Sequence, residues 1–367
     1  MRNNHFWLML GALFVIPFFS YAQPKIVTSN QDAGPGTLRQ AIIDANQNPG
    51  PDTILFAIPG QENSEAGFIS LSSPLPIIID PGLYLAGGVS EGADTISFPL
   101  PYIVLAANEL FPESASVFDI RTEEVHIRDV MIFNAPGGGI TFADAHSCSI
   151  SGCYIGLQQG DDGADRALEG GDAIQLSSST QIFIGPTEDA GGNVISGYGG
   201  HGVAMLDSSA WNVVLGNFIG LSPRETKNFR DGNVGAGISL GKGCHHNEIF
   251  DNHIGHHRVA GILISDANDN AIFHNSIGTR FDFVDSFPNL GHGVSIVDGS
   301  ISNQIIENAI GYNEGYGILC SGVSTSGNLY SRNSISRNIM GGIHLEAGAN
   351  QGIMAPIIDR LQGSTIS

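Results

Sequence analysis

The stretch GILISDANDNAIFHNSI, residues 261–277, carries two signatures in succession. Gly261-Ile262-Leu263-Ile264 is a small residue, a β-branched residue, a variable one and an apolar one. Asn270 and Asn275 follow, and Ile277 stands two places beyond the second Asn. Apolar residues at i and i+2 give an extended strand one inward face. Asn tolerates the left-handed backbone of tight bends, and its amide can bond to amides stacked above and below. The stretch reads as short strands joined by Asn-lined bends.

Both signatures recur. The tetrad appears at Gly139-Ile140, Ala173-Ile174, Gly202-Val203, Gly237-Ile238, Gly293-Val294, Gly317-Ile318 and Gly342-Ile343. The steps between its β-branched residues are 34, 29, 35, 24, 32, 24 and 25 residues, a base period near 24 with insertions in four steps. The Asn pair returns as Asn212/Asn217, Asn247/Asn252, Asn303/Asn308 and Asn328/Asn333. In the first full repeat Cys148 and Cys153 take the two Asn places. Such a period marks a stacked array, and the Gly, Asn and alternation argue against helical repeats. Eight rungs at about 4.8 Å per strand predict a rod roughly 38 Å tall.

These repeats resemble the right-handed parallel β-helix proteins, the architecture of the pectate-lyase-like superfamily. The resemblance covers at least residues 115–350. It implies an all-β solenoid of one chain, with polysaccharide chemistry on its outer face in the enzymes of that group. The segment from Gly36 to Asn46, GTLRQAIIDAN, is similar to the start of many bacterial secreted and surface β-helix proteins. There it implies a short amphipathic helix that plugs the bottom of the coil. Thr37 to Gln40 forms a capping box, followed by apolar residues at helical spacing. A plug answers a physical need, because an open first rung is an aggregation-prone edge.

Composition narrows the function. The 367 residues carry 36 acidic and 15 basic side chains, a formal charge of −21. Lys25, Lys227 and Lys242 are the three lysines, so phosphate contacts are scarce and no nucleic acid is expected as a partner. Arg2 and His5 precede an apolar run from Phe6 to Phe19 that ends at Ala22, which reads as a secretory signal peptide. The run is too short for a confident span, so no transmembrane protein is expected. The expected division is a leader over 1–22, a cap with first rungs over 23–110, repeats over 111–350, and a tail over 351–367. That tail reads as the beginning of a further module in a longer surface protein. Secretion to the cell surface or the outside follows. Four cysteines are too few for a disulfide scaffold, and Cys320 occupies an inward apolar place.

Candidate site residues fall into two groups. Three insertions, 157–171, 221–235 and 279–291, should protrude from one bend. They bring Asp161, Asp162, Arg166, Arg224, Lys227, Arg230 and Arg280 as candidate substrate-binding groups. The second group is a column four residues after the tetrad's β-branched residue: Asp207, Lys242, Asp266 and Asp298, with Asp144 two rungs below Asp207. Stacked carboxylates could couple their ionisation, hold one calcium ion, or take a proton beside a sugar acid. They could equally be turn residues at strand ends.

Other motifs carry less. Gly-His-Gly at 200–202 and 291–293 is similar to a motif of β-helical polygalacturonases, but the Asn-Thr-Asp and Arg-x-Lys partners of that family are missing. His245, His246, His253, His256, His257 and His274 crowd two rungs beside Cys244 without the spacing of a zinc motif, and read as a hydrated basic patch. The outward residues of the tetrad strands, Thr141, Gln175, Ala204, Ser239, Leu263, Ser295, Leu319 and His344, are almost uncharged. The expectation is an exported, non-catalytic β-helix protein presenting loops for glycan or partner binding. The alternative is a polysaccharide lyase or another carbohydrate-active enzyme that uses the acidic column.

Overall fold

The computed structural model describes residues 23–60, 67–88, 101–156, 170–188, 190–221, 232–346 and 348–352. Among these the chain winds into a right-handed parallel β-helix with three parallel sheets of nine, eleven and ten strands. One coil shows the plan. Ala260–Ser265 lies in the first sheet, Ala271–Phe273 in the second and Ser276–Ile277 in the third, and the chain re-enters the first at His292–Val297. Ile262 pairs with Val294, Ala271 with Gln304 and Ile277 with Ile310. Equivalent residues of successive coils therefore stack in columns.

The tetrad and the Asn-x-Ile signature supply the core. Ile262, Ile264, Ile272 and Ile277 are all completely buried in one coil. Full burial of such a side chain stabilises by about 1.5–3 kcal/mol, an upper figure because the unfolded chain already hides some of it.

The bends are built from ladders. Asn270 donates from its backbone N–H and its Nδ2 to Oδ1 of Asn303, both at 3.0 Å, and Nδ2 also reaches the backbone oxygen of Cys244 at 3.1 Å. The first ladder runs through Asn212, Asn247, Asn270, Asn303, Asn328 and Asn350. A second runs through Asn193, Asn217, Asn252, Asn275, Asn308 and Asn333. The left-handed conformation falls on the residue before the Asn, as at Asp269 (φ 55°) and His274 (φ 56°), rather than on the Asn itself. The preceding residue makes the corner, so the amide points inward along the rod.

Cys153 takes the Asn place one coil below Asn193, and Cys148 takes the other two coils below Asn212, with Ile182 between; both imitate the amides. The Cys148 thiol donates to the His146 backbone oxygen at 3.3 Å, and the Cys153 thiol to that of Ser151 at 3.4 Å. All four cysteines are buried and free. Burial pushes the thiols up, Cys148 and Cys244 to about 11 and Cys153 to about 12.

The helix Leu38–Gln47 joins the core of the first coils through Leu38, Ala41, Ile42 and Ala45, which share it with Val27 and Ile54. Half of the expected capping box forms. Thr37 Oγ1 accepts from the Gln40 N–H at 3.2 Å, while the Gln40 amide turns to Asp44 Oδ1 at 2.7 Å. The remaining polar residues of GTLRQAIIDAN are clamps. Arg39 donates to the backbone oxygens of Pro74 at 2.5 Å and Ser73 at 2.9 Å, and to Asp32 Oδ1 at 2.5 Å. Asn46 donates to the Ile77 oxygen at 2.7 Å and accepts from the Ile79 N–H at 3.1 Å.

Candidate binding surface

The acidic column forms as the spacing predicts, and its setting explains its residue type. The register of the tetrad strands places Asp144, Ser178, Asp207, Lys242, Asp266 and Asp298 one above another. Asp144, Ser178, Asp207, Asp266 and Asp298 all adopt left-handed backbone, φ 50–54°. Lys242 does not, and Gly243 takes the turn there with φ 74°. Asp is among the few side chains that enter this region at low cost. Two of the carboxylates are tied to the strand below. Ser177 Oγ donates to Asp207 Oδ2 at 2.5 Å and Ser265 Oγ to Asp298 Oδ2 at 2.7 Å. All members stand exposed on a corner of the rod.

Of the loop candidates, Asp161, Asp162, Arg166, Arg224, Lys227 and Arg230 lie outside the described residues. Arg280 belongs to the loop that is described, and that loop is tied to the rod. Arg280 Nε lies 3.3 Å from Asp285 Oδ2. Phe287 is buried with Val194, Phe218 and Leu221 on the outside of the third sheet. Tyr312 Oη donates to the Phe283 backbone oxygen at 2.7 Å, and Arg337 Nη1 reaches the same oxygen at 2.8 Å. The insertion also carries Phe281, Phe283, Val284 and Leu290, and Phe287 is the one that is buried.

The histidines do not form one patch. His257 is completely buried and stands in a third ladder with Asn233, Asn289, Asn313 and Asn338. Its Nδ1 accepts from the Asn233 N–H at 3.1 Å, which leaves Nε2 to donate to the Ile219 oxygen at 3.1 Å. Desolvation pushes it down to about 3, so the ring is neutral. The two histidines of the Gly-His-Gly motifs also serve the backbone. His201 Nδ1 accepts from the Ala236 N–H at 2.8 Å, and His292 Nδ1 from that of Tyr316 at 2.9 Å. His274 Nε2 meets Glu307 Oε2 at 2.6 Å, and Arg332 Nε lies 3.0 Å from Oε1 of the same glutamate.

Two aromatic features escaped the sequence reading. On the first sheet His292, Tyr316 and His344 stack with interplanar angles of 9°. At the bend between the first and second sheets Trp211 stacks on His246, ring centroids 4.3 Å apart. The signal for the latter was present. Trp211 precedes a ladder Asn, where the other coils place small or polar residues.

Residues 104–286, just under half of the chain, match a family described as periplasmic copper-binding protein (NosD). No curated protein matches the chain. Among solved structures, the A-module of the Azotobacter vinelandii mannuronan C-5 epimerase AlgE4 is 15% identical over 88% of this chain and 97% of its own, with a TM-score of 0.49. The Dettilon tailspike protein is 12% identical over 86% of this chain and 66% of its own, TM-score 0.47. The alginate lyase of Paenibacillus sp. FPU-7 is 15% identical over 88% and 99%, TM-score 0.37.

Among the described residues no group of three or more His, Cys, Asp or Glu is placed to hold a metal ion, copper or calcium. The buried thiols are committed to backbone oxygens or the core, and His257, His201 and His292 spend a ring nitrogen on backbone N–H groups. Copper favours thiolate, thioether and imidazole donors grouped at one point, and the described residues do not supply that grouping. What the chain has is the right-handed parallel β-helix architecture, and it is similar to the NosD family over residues 104–286.

Proposed function

We propose that this protein works outside the cytoplasm as a non-catalytic β-helix that binds glycan along its bends. The leader-like segment before Gln23 and the periplasmic description of the family matched over residues 104–286 support the location. Among the described residues no helix is long and apolar enough to cross a membrane. The observation that carries the non-catalytic reading is the left-handed backbone of Asp144, Asp207, Asp266 and Asp298. It gives the acidic column a turn-forming reason to exist, and the column's exposure leaves no dry cleft for lyase chemistry.

The test is to offer the exported chain a panel of neutral and acidic polysaccharides, with and without calcium. Glycan retention without new reducing ends or unsaturated products is the expected result. Depolymerisation that disappears in Asp266→Asn would overturn it in favour of the lyase, and would return the column to the centre of the chemistry.

A further inference from the structure

Trp211 is the wrong residue for its backbone. It holds φ 60° at the corner before Asn212, where successive coils place Ser147, Gln181, His246, Asp269 and Ser302 at φ 55–59°. A bulky aromatic side chain in the left-handed region costs on the order of 1–3 kcal/mol, and such strain persists where function requires it. Burial does not offset that cost, because Trp211 is 57% exposed.

Its surroundings hold the ring in place and line it with polar groups. The indole stacks on the His246 imidazole at 4.3 Å with an interplanar angle of 23°. His246 is itself fixed by His245, whose Nδ1 lies 2.8 Å from the His246 Nδ1, one donating to the other. Gln181 stands one coil below in the same column and Asp269 one coil above His246, both exposed. An oriented indole bordered by amide, imidazole and carboxylate is the combination that receives a sugar ring. The axial C–H groups of a pyranose lie on the negative π face, and its hydroxyls bond to the flanking groups. The formal charge of −21 disfavours a polyanion.

We propose that Trp211, held by His246, with Gln181 one coil below and Asp269 two coils above, is a binding platform for neutral pyranose rings. The proposal rests on the glycan-binding reading and gives it a site and a substrate class.

Trp7 and Trp211 are the two tryptophans of the chain, so Trp7→Phe leaves an indole signal that reports on Trp211 alone. The full chain with that substitution is titrated with cellohexaose, mannohexaose, laminarihexaose and xylohexaose, and with hexamers of galacturonate and mannuronate. Fluorescence and calorimetry are read in parallel. At least one neutral hexamer is expected to give a saturable fluorescence change. Its Kd is expected to rise about ten-fold or more in Trp211→Asn, as for a central aromatic anchor. Asn suits the left-handed corner, and an unchanged thermal midpoint shows that the bend survives. His246→Ala, which frees the indole, should weaken binding by less.

Calorimetric binding that is undiminished in Trp211→Asn would place the glycan elsewhere. It would sink the platform while leaving the glycan-binding reading intact. Tighter binding of either uronate hexamer would overturn the assignment to neutral sugars. No binding to any hexamer would remove both the platform and the reading beneath it.

Discussion

A Cβ added to Gly261 would lie 2.5 Å from Cγ2 of Ile277, across the interior of the same coil. The same approach recurs between Gly237 and Ile254 at 2.7 Å, Gly293 and Ile310 at 2.4 Å, and Gly317 and Ile335 at 2.5 Å. The small residue of the tetrad and the Ile that follows the second Asn are thus two halves of one contact. Each coil closes there, where the third sheet turns back toward the first.

Gly261→Ala should accordingly destabilise the rod by about 1–3 kcal/mol, the usual cost of overpacking a filled core. Ala173 fills the equivalent place in one coil, which argues for the lower half of that range. Gly342 provides the control, since a Cβ there meets nothing nearer than Ile335 Cγ2 at 3.8 Å. Denaturant midpoints of Gly261→Ala and Gly342→Ala should therefore separate. Equal losses at the two positions would show that the contact with Ile277 is not what sets the cost.

His257 makes stability depend on pH. Burial lowers its folded pKa from 6.5 to about 3, so in acid the unfolded chain takes up a proton that the folded chain refuses. The stabilisation is complete above pH 6.5 and is lost as pH falls toward 3, by up to about 1.4 kcal/mol per pH unit. Other carboxylates titrate in the same window, so the informative quantity is the difference between the native chain and His257→Asn. The Asn variant restores the ladder's usual residue and should melt higher at pH 4.5 than the native chain, with the gap closing by pH 7.5. A gap independent of pH would mean that shape, not ionisation, distinguishes the two.

The ladders should be weakest at their ends. Asn275 Oδ1 accepts from the Asn252 N–H at 3.1 Å, and its Nδ2 donates to Asn308 Oδ1 at 3.0 Å and to the Ile249 oxygen at 2.8 Å. Asn275→Ala leaves buried donors and acceptors unpaired above and below, a loss of about 3–5 kcal/mol summed over those groups. Asn338 is half-buried in the last described coil and takes part in the ladder from one side, accepting from Asn313. Its Ala variant should cost less than half as much by chemical denaturation. A reversed order would deny that stacking neighbours cooperate.

The sequence disclosed what repeats and concealed what occurs once. Eight tetrads and the Asn pairs gave strand order, register and the inward face, because a column needs the same residue type at every level. The third ladder lay open to the same reading: Asn303, Asn308 and Asn313 are evenly spaced, as are Asn328, Asn333 and Asn338. It was obscured where His257 replaces Asn and where insertions move Asn233 and Asn289 away from their partners. Phe287 and Trp211 each appear once, so no periodicity marks them. One anchors a loop and the other stands exposed at a strained corner, and three-dimensional placement is what separates those roles.

Asp266 tests whether the acidic column is a turn or a site. Its φ of 54° and its exposure predict that the side chain matters through backbone preference. Asp266→Asn keeps a residue that enters the left-handed region, and stability should stay within about 0.5 kcal/mol of the native chain. Asp266→Val places a β-branched side chain in the same conformation and should cost about 1–2 kcal/mol. Hexamer binding should survive in Asp266→Asn, because the carboxylate belongs to a different column from Trp211. Thermal melts of both variants, read beside the calorimetric Kd of Asp266→Asn, separate the two roles. A stable Asp266→Asn protein that had lost its glycan would show that the charge, and not the corner, is what the column supplies.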